Sequence, residues 1–279
     1  MGIVLQVLRK SLVAAGGLAL FAVLAACPFD SGKGARQDDL TLARAAAKDR
    51  DIGDAEMYYE RYLRKNPQGE HRWQVWQSLL EIALDIRHDM SGGREYLEIM
   101  LDEFRDDPER RRQIQLTLAD IANEMLAYER AVTLWEAVSS DPGTPQETLA
   151  EVYRNLSRAY LRRLEFTLSK ELLDRCLQLN VAENTKAECL YALSEAHMLT
   201  DELASSEQAL RDMLEMDLDD ETLRVEGMFM LADVLEQQDR VREAEALFET
   251  LRDVYPNPRV IEIRLGALKS KQNAAAGRR

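Results

Sequence analysis

Residues able to do chemistry are sparse in this chain. Its histidines are His71, His88 and His197, and none stands at a metal-ligating spacing from another. Glycine-rich phosphate loops and Gly-x-Ser-x-Gly turns do not occur. The 50 acidic residues recur at helix-surface intervals, which suits a solvated face better than a pair of acid–base catalysts. No catalytic set, metal or cofactor is therefore expected, and an enzyme is not the expectation. The local exception is Arg154, Arg158 and Arg162, spaced by four in a chain of net charge −14. Three guanidinium groups on one helical ridge suit a carboxylate, such as a partner's C-terminus or acidic side chain, held by forked hydrogen bonds. The alternative is that they pair with Glu188, Glu195 and Asp233 next door and only hold the fold together.

What must position these side chains is a repeat. Leu42, Leu80, Leu118, Leu156, Leu193 and Leu231 recur every 38 residues, with one step of 37. Thirteen residues after each leucine stands a small residue: Ala55, Gly93, Ala131, Ser169, Ser206 and Ala244. Four further on stands a large apolar one: Tyr59, Leu97, Trp135, Leu173, Leu210 and Phe248. Three later comes another apolar position: Tyr62, Met100, Val138, Cys176, Met213 and Leu251. Each unit thus reads as two helices, A and B, joined by a turn. The small columns would let the two backbones of a pair approach closely. Glu81 stands in a small column of the second unit, where such packing is not expected. The first unit has weak helix-A signals, Leu42, Ala43 and Ala46, and is expected to fray. Thr144-Pro145-Gln146-Glu147 reads as a capping box, and residues Thr185 to Glu188 similarly.

Composition agrees with a helical array: 46% apolar, 31% charged, few glycines and prolines. Residues 1–26 hold Arg9 and Lys10 and no acid, so without them the net charge is −16. That argues against a nucleic-acid backbone and against electrostatic docking on anionic lipid.

Residues 1–26 read as an address, not fold. Two basic residues precede an apolar run, Ser11 to Ala26, that is too short for a confident span and suits a signal peptide. The run ends in Leu24-Ala25-Ala26-Cys27, which resembles the lipobox of bacterial lipoproteins. The resemblance implies cleavage before Cys27 and lipid attachment at its thiol. Pro28, where inner-membrane retention would favour Asp, implies the outer membrane, facing the periplasm. Residues 27–36 read as a flexible tether, 37–271 as the repeat array and 272–279 as a loose tail. Export would place Cys176 and Cys189 in an oxidising compartment. Two buried apolar thiols are the reading of their surroundings, with a disulfide as the alternative.

The columns of residues 37–256, clearest at Leu231, Ala232, Leu235, Ala244, Phe248, Leu251 and Pro256, resemble the tetratricopeptide repeat. The resemblance implies an all-α, right-handed α-solenoid of about six helix pairs, closed by a capping helix from Pro258. The period exceeds the family's usual one, so longer helices or loops are expected. In this family the A helices line the partner-binding face. That assigns Arg154, Arg158, Arg162, Tyr191, Glu195, Met198, Phe229 and Asp233 as candidate partner-binding residues. His197 falls in the helix-A aromatic column and reads as a packed core residue, as do Trp73, Trp76 and Trp135. The function implied is a lipid-anchored envelope scaffold for protein or peptide partners. The narrower alternatives are a β-barrel assembly lipoprotein, a pilotin-like factor for pilus or secretin assembly, and a regulator of a wall hydrolase or protease.

Overall fold

Helices form wherever the leucine and small-residue columns recur, and no strand occurs among the described residues. The computed structural model describes residues 38–276; the leader, Cys27 and the tether lie outside them. The helices fall into two compact units, the chain dividing between Ala127 and Tyr128. In the first are α1 (Asp39–Lys48), α2 (Ile52–Lys65), α3 (Arg72–Glu81), a π-helical turn (Ile82–Ile86), α4 (Met90–Glu103) and α5 (Pro108–Glu124). In the second are α6 (Tyr128–Ser139), α7 (Gln146–Arg162), α8 (Phe166–Leu177), α9 (Glu183–Leu199), α10 (Leu203–Leu214), α11 (Glu221–Gln237), α12 (Val241–Leu251) and α13 (Pro258–Ala276). Odd-numbered helices up to α11 are A helices and even-numbered ones are B helices. The long period is taken up by A helices of 17 residues at α5, α7, α9 and α11. Among the described residues no helix is long and apolar enough to cross a membrane.

All three B-helix columns are buried in every repeat, from Ala55, Tyr59 and Tyr62 to Ala244, Phe248 and Leu251. In the fourth and fifth repeats both small positions are serines, and there a hydrogen bond joins the A and B helices. Ser157 and Ser169 are fully buried, with their hydroxyls 2.7 Å apart. Ser206 donates to the Ser194 carbonyl at 3.0 Å. Removing Ser157 or Ser169 alone would leave the other's buried hydroxyl unpaired.

Each A–B turn contains one residue with positive φ: Arg50, His88, Leu126, Leu164, Asp201 and Asp239, at φ between 54° and 63°. They form one column, eight residues after the repeat leucine. Five of these turns close a Schellman motif, as where the Glu165 amide donates to the Tyr160 carbonyl at 2.9 Å. Glycine is the usual occupant of such a position, and none of the six is glycine.

The A-helix leucines hold for four repeats and fail in two. Leu118, Leu156, Leu193 and Leu231 are buried, but Leu42 and Leu80 are only partly so. In the second repeat the core position belongs to Leu79, followed by Ile82 and Ala83, which is one residue out of phase. The mismatch at Glu81 is resolved by this slip, which leaves Glu81 exposed. The π-helical turn holds the extra residue, the Arg87 amide reaching the Ile82 carbonyl at 2.9 Å. Opposite it a Cβ on Gly93 would stand 2.3 Å from Leu84 Cδ2, so the small residue there gives way to a larger neighbour.

The first helix is held by buried Leu40 and Ala43 and by charge. Buried Asp39 accepts from Arg61 Nε and Lys65 Nζ, each at 2.8 Å. Those bonds hold its carboxyl below the usual range. Two sequence expectations are corrected at helix starts. The Thr144–Glu147 capping box does not form: Thr144 Oγ1 donates to the Val138 carbonyl, and Pro145 is the N-cap of α7. Glu147 instead caps the next A helix, accepting from the Ala182 amide and Thr185 Oγ1, both at 2.8 Å. Thr185 therefore lies inside α9 rather than capping it. At the C-terminus α13 runs on through Ala276, because alanines that read as tail are strong helix formers.

Cys176 and Cys189 form a disulfide between α8 and α9, with Cα atoms 6.1 Å apart, so the reading as two free thiols is corrected. Both sulfurs are fully buried beside Ala150. Apolar surroundings are common to both states, which is why composition favoured thiols; the proximity of the two columns decides it.

Candidate binding face

In the second unit α9 contacts both α7 and α11, so three A helices lie side by side and present one face. The residues two before each leucine are Arg154, Tyr191 and Phe229; those two after are Arg158, Glu195 and Asp233. A further column, five before the leucine, holds Glu151, Glu188 and Glu226. The sequence reading passed over that column, although its periodicity was available.

The three arginines are used differently. Arg154 is largely buried, with 16% of its side chain exposed, and pairs with Glu188 on α9. Burial pulls its guanidinium below the usual arginine range, against the pull of Glu188. Burial likewise raises the Glu188 carboxyl, with Arg154 opposing. The bridge joins α7 to α9, and the desolvation of Arg154 offsets part of what the pairing contributes. Arg162 lies over the Tyr128 ring, 4.9 Å from its centroid. Arg158 is exposed and has neither a hydrogen bond nor an ion pair among the described residues.

Across from Arg158, Glu195 is half-buried and likewise without a hydrogen bond or ion pair among the described residues. Burial raises its carboxyl, Arg158 opposes this, and Glu226 adds to it. Tyr191 beside them is pushed up to about 12, by burial first and then by Glu195 and Glu226. Met198 packs into the apolar cluster beneath. Phe229 stacks on Tyr255 at 4.9 Å and meets Phe248 edge-on at 5.4 Å. Asp233 is engaged by Arg264 of α13, which also pairs with Glu236 at 2.9 Å and covers the Phe248 ring. Burial raises the Asp233 carboxyl, with Arg264 opposing and Glu236 reinforcing.

The structure thus places Arg158, Tyr191, Glu195 and Glu226 on the three neighbouring A helices α7, α9 and α11. It ties Arg154 and Asp233 into contacts between helices, and places Met198 and Phe229 in the packing that supports the face. Of the expected core tryptophans, Trp76 and Trp135 are buried, whereas Trp73 is only partly so and meets Phe104 edge-on at 5.0 Å. His197 is largely buried, and its Nδ1 lies 2.6 Å from the Glu202 carboxylate rather than among apolar groups alone.

The fold is all-helical and of the tetratricopeptide-repeat type. No protein-family model matches the chain. No curated protein matches it either. Solved structures do. One is pilF of Pseudomonas aeruginosa, 13% identical, covering 84% of this chain and 96% of that one, with TM-score 0.54. PilW, described as a widely conserved type IV pilus biogenesis factor, is 14% identical over 85% of this chain and 99% of its own, with TM-score 0.53. MamA of Desulfovibrio magneticus RS-1 is 15% identical over 65% of this chain and 93% of its own, with TM-score 0.52. At these identities the likeness is one of fold.

Proposed function

We propose that this chain is a lipid-anchored scaffold of the bacterial envelope, facing the periplasm, that holds protein partners on the A-helix face of its second unit. The observation that carries the binding role is the set of Arg158, Tyr191, Glu195 and Glu226 on the neighbouring A helices α7, α9 and α11, none of whose side chains has a hydrogen bond or ion pair among the described residues. The anchor rests on the resemblance of Leu24-Ala25-Ala26-Cys27 to a lipobox. The buried Cys176–Cys189 disulfide suits an exported chain. Among narrower roles, an adaptor in type IV pilus biogenesis is favoured by the fold likeness to pilF and PilW, each matched over nearly its whole length.

Two experiments test the reading. In cells fed a labelled fatty acid, the wild-type chain should become labelled and Cys27→Ala should not; equal labelling of both would refute the anchor. Crosslinked capture from membranes should recover envelope proteins, pilus components among them, that Arg158→Glu combined with Glu195→Lys loses while its thermal melt is unchanged. Retention of the same proteins by that variant would move the binding role off this face.

A further inference from the structure

The B helices of the second unit border an opening that the A-helix columns do not use. α6 and α8 both pack on α7, and a cleft of about 210 Å³ lies among the three. Buried Leu156 and half-buried Tyr160 line it from α7, and Glu136 and Ser139 border it from α6. The Tyr160 hydroxyl donates to the Glu136 carboxylate at 2.7 Å, so that acid is already engaged. The volume is below the about 300–1,000 Å³ of small-molecule sites and suits single side chains of a protein surface. From α8 the cleft is bordered by Leu168, Glu171, Leu172 and Arg175, whose spacing of three, four and seven sets them on one helix ridge. Leu168 is 43% exposed. Twelve residues after the repeat leucine the other units carry Asp54, Gly92, Arg130, Ser205 and Glu243, so a large apolar side chain stands in this column only in the fourth repeat. Glu171 and Arg175 are exposed, and neither side chain has a hydrogen bond or ion pair among the described residues, although a spacing of four would let them pair with each other. A ridge that carries a free acid and a free base one turn apart, with leucines beside them, is complementary to itself when turned end for end.

We propose that a second copy of this chain covers the cleft, the two α8 helices lying antiparallel about a two-fold axis. Glu171 of each copy then meets Arg175 of the other, Leu172 packs between these two pairs, and Leu168 enters the other copy's cleft at the end beside Ser139. A contact of this kind uses the same patch on both chains and closes at two copies. It draws on none of the residues assigned to the A-helix face, so it stands whether or not that face holds a partner. Two chains of net charge −14 repel each other at a distance. At physiological salt that repulsion is screened beyond about 8 Å, whereas charge pairs enclosed in a contact are screened much less.

The test is sedimentation equilibrium of the full chain, purified from membranes in detergent micelles. The wild type should sediment as a dimer. Glu171→Arg sets two basic ridges against each other and Arg175→Glu two acidic ones, so each variant alone should raise the dimer dissociation constant at least about tenfold. Mixed one to one, the two variants are complementary at both contacts and should pair again, to within about threefold of wild type. Only folded chains can be rescued in this way, so recovery also excludes misfolding as the cause of the first result. Leu168→Asp should weaken pairing without being rescued by either charge variant. A wild type that stays monomeric up to about 0.1 mM would overturn the inference. Single charge variants that pair as well as wild type would overturn it by moving any dimer contact elsewhere. A mixture that stays apart, although each variant melts as wild type does, would overturn it as well and leave the cleft to a different protein.

Discussion

Leu164 occupies a conformation that its side chain opposes. Its φ is 61°, and 72% of the residue is exposed, so it gains little burial in return. A Cβ in the left-handed region costs about 1–2 kcal/mol. Glycine escapes that cost but loses about 0.4–1 kcal/mol more chain entropy on folding. Leu164→Gly should therefore stabilise the second unit by about 0.5–1 kcal/mol, the difference of the two terms. For a protein of this size that is a rise in melting temperature of about 1–4 °C. Leu164→Ala keeps the Cβ and gives up little contact, so it should change stability by less than about 0.5 kcal/mol. The assay is urea unfolding followed by far-ultraviolet circular dichroism, with wild type, Ala and Gly variants side by side. If Gly destabilises, or if Ala and Gly move together, the Cβ is not the source of the cost and the reasoning fails. Leu126, at φ 62° and 69% exposed in the first unit, is an independent repeat of the same experiment.

Ser157→Ala or Ser169→Ala alone should cost about 1–3 kcal/mol, because each leaves a buried hydroxyl unpaired, whereas the double change should come out near neutral. A double-mutant cycle by urea unfolding measures the coupling, and strictly additive effects would argue against the hydroxyl pair. Replacing Cys176 and Cys189 together by alanine should cost about 3 kcal/mol for a bridge that closes so short a loop, read as a lower urea midpoint. Reductant should abolish the difference between the two proteins. The pH dependence has a definite sign. Glu188 and Glu195 have raised carboxyls in the folded state, so the folded chain takes up protons before the unfolded one as pH falls. Their contribution to stability therefore improves from neutral pH downward and levels off near the ordinary value of 4.5. Glu195→Gln should melt higher at pH 7 and lower slightly the slope between about pH 7 and pH 5; parallel curves would remove Glu195 as a contributor.

The B helices were legible in the sequence because their three columns are set by one geometry, a short helix buried along one stripe. The A helices were less so. Leu79 and Leu80 are adjacent and chemically identical, and periodicity alone chose the wrong one; only the π-helical turn, a backbone event, separates them. Thr144 and Glu147 have the right types for a capping box, but Thr144 turns back to the Val138 carbonyl and the Glu147 partners lie in the following repeat, beyond any local window. On the binding face, the positions of Arg154 and Asp233 were readable while their partners were not. Glu188 and Arg264 reach them from adjacent helices, and nothing in a single helix's pattern announces such a pairing. The glutamate column at 151, 188 and 226 was readable and shows that polar columns carry information as apolar ones do.

The array meets two disturbances of its spacing, and it absorbs them by different means. Where the connector from α8 to α9 is one residue shorter than that from α10 to α11, a covalent bond spans the junction. Where an extra residue enters the second A helix, the helix itself widens for one turn, and the following turn returns to the common column at His88. The widened turn is thus a buffer against insertion and deletion. Deleting one residue within 82–86 should straighten that helix into regular α-form while every position from His88 onward keeps its place. The same deletion in α7, which has no such slack, would rotate half a helix out of its core. Helices of this kind can therefore change length by single residues where a π turn stands, and the array lengthens or shortens locally without re-setting the repeats beyond.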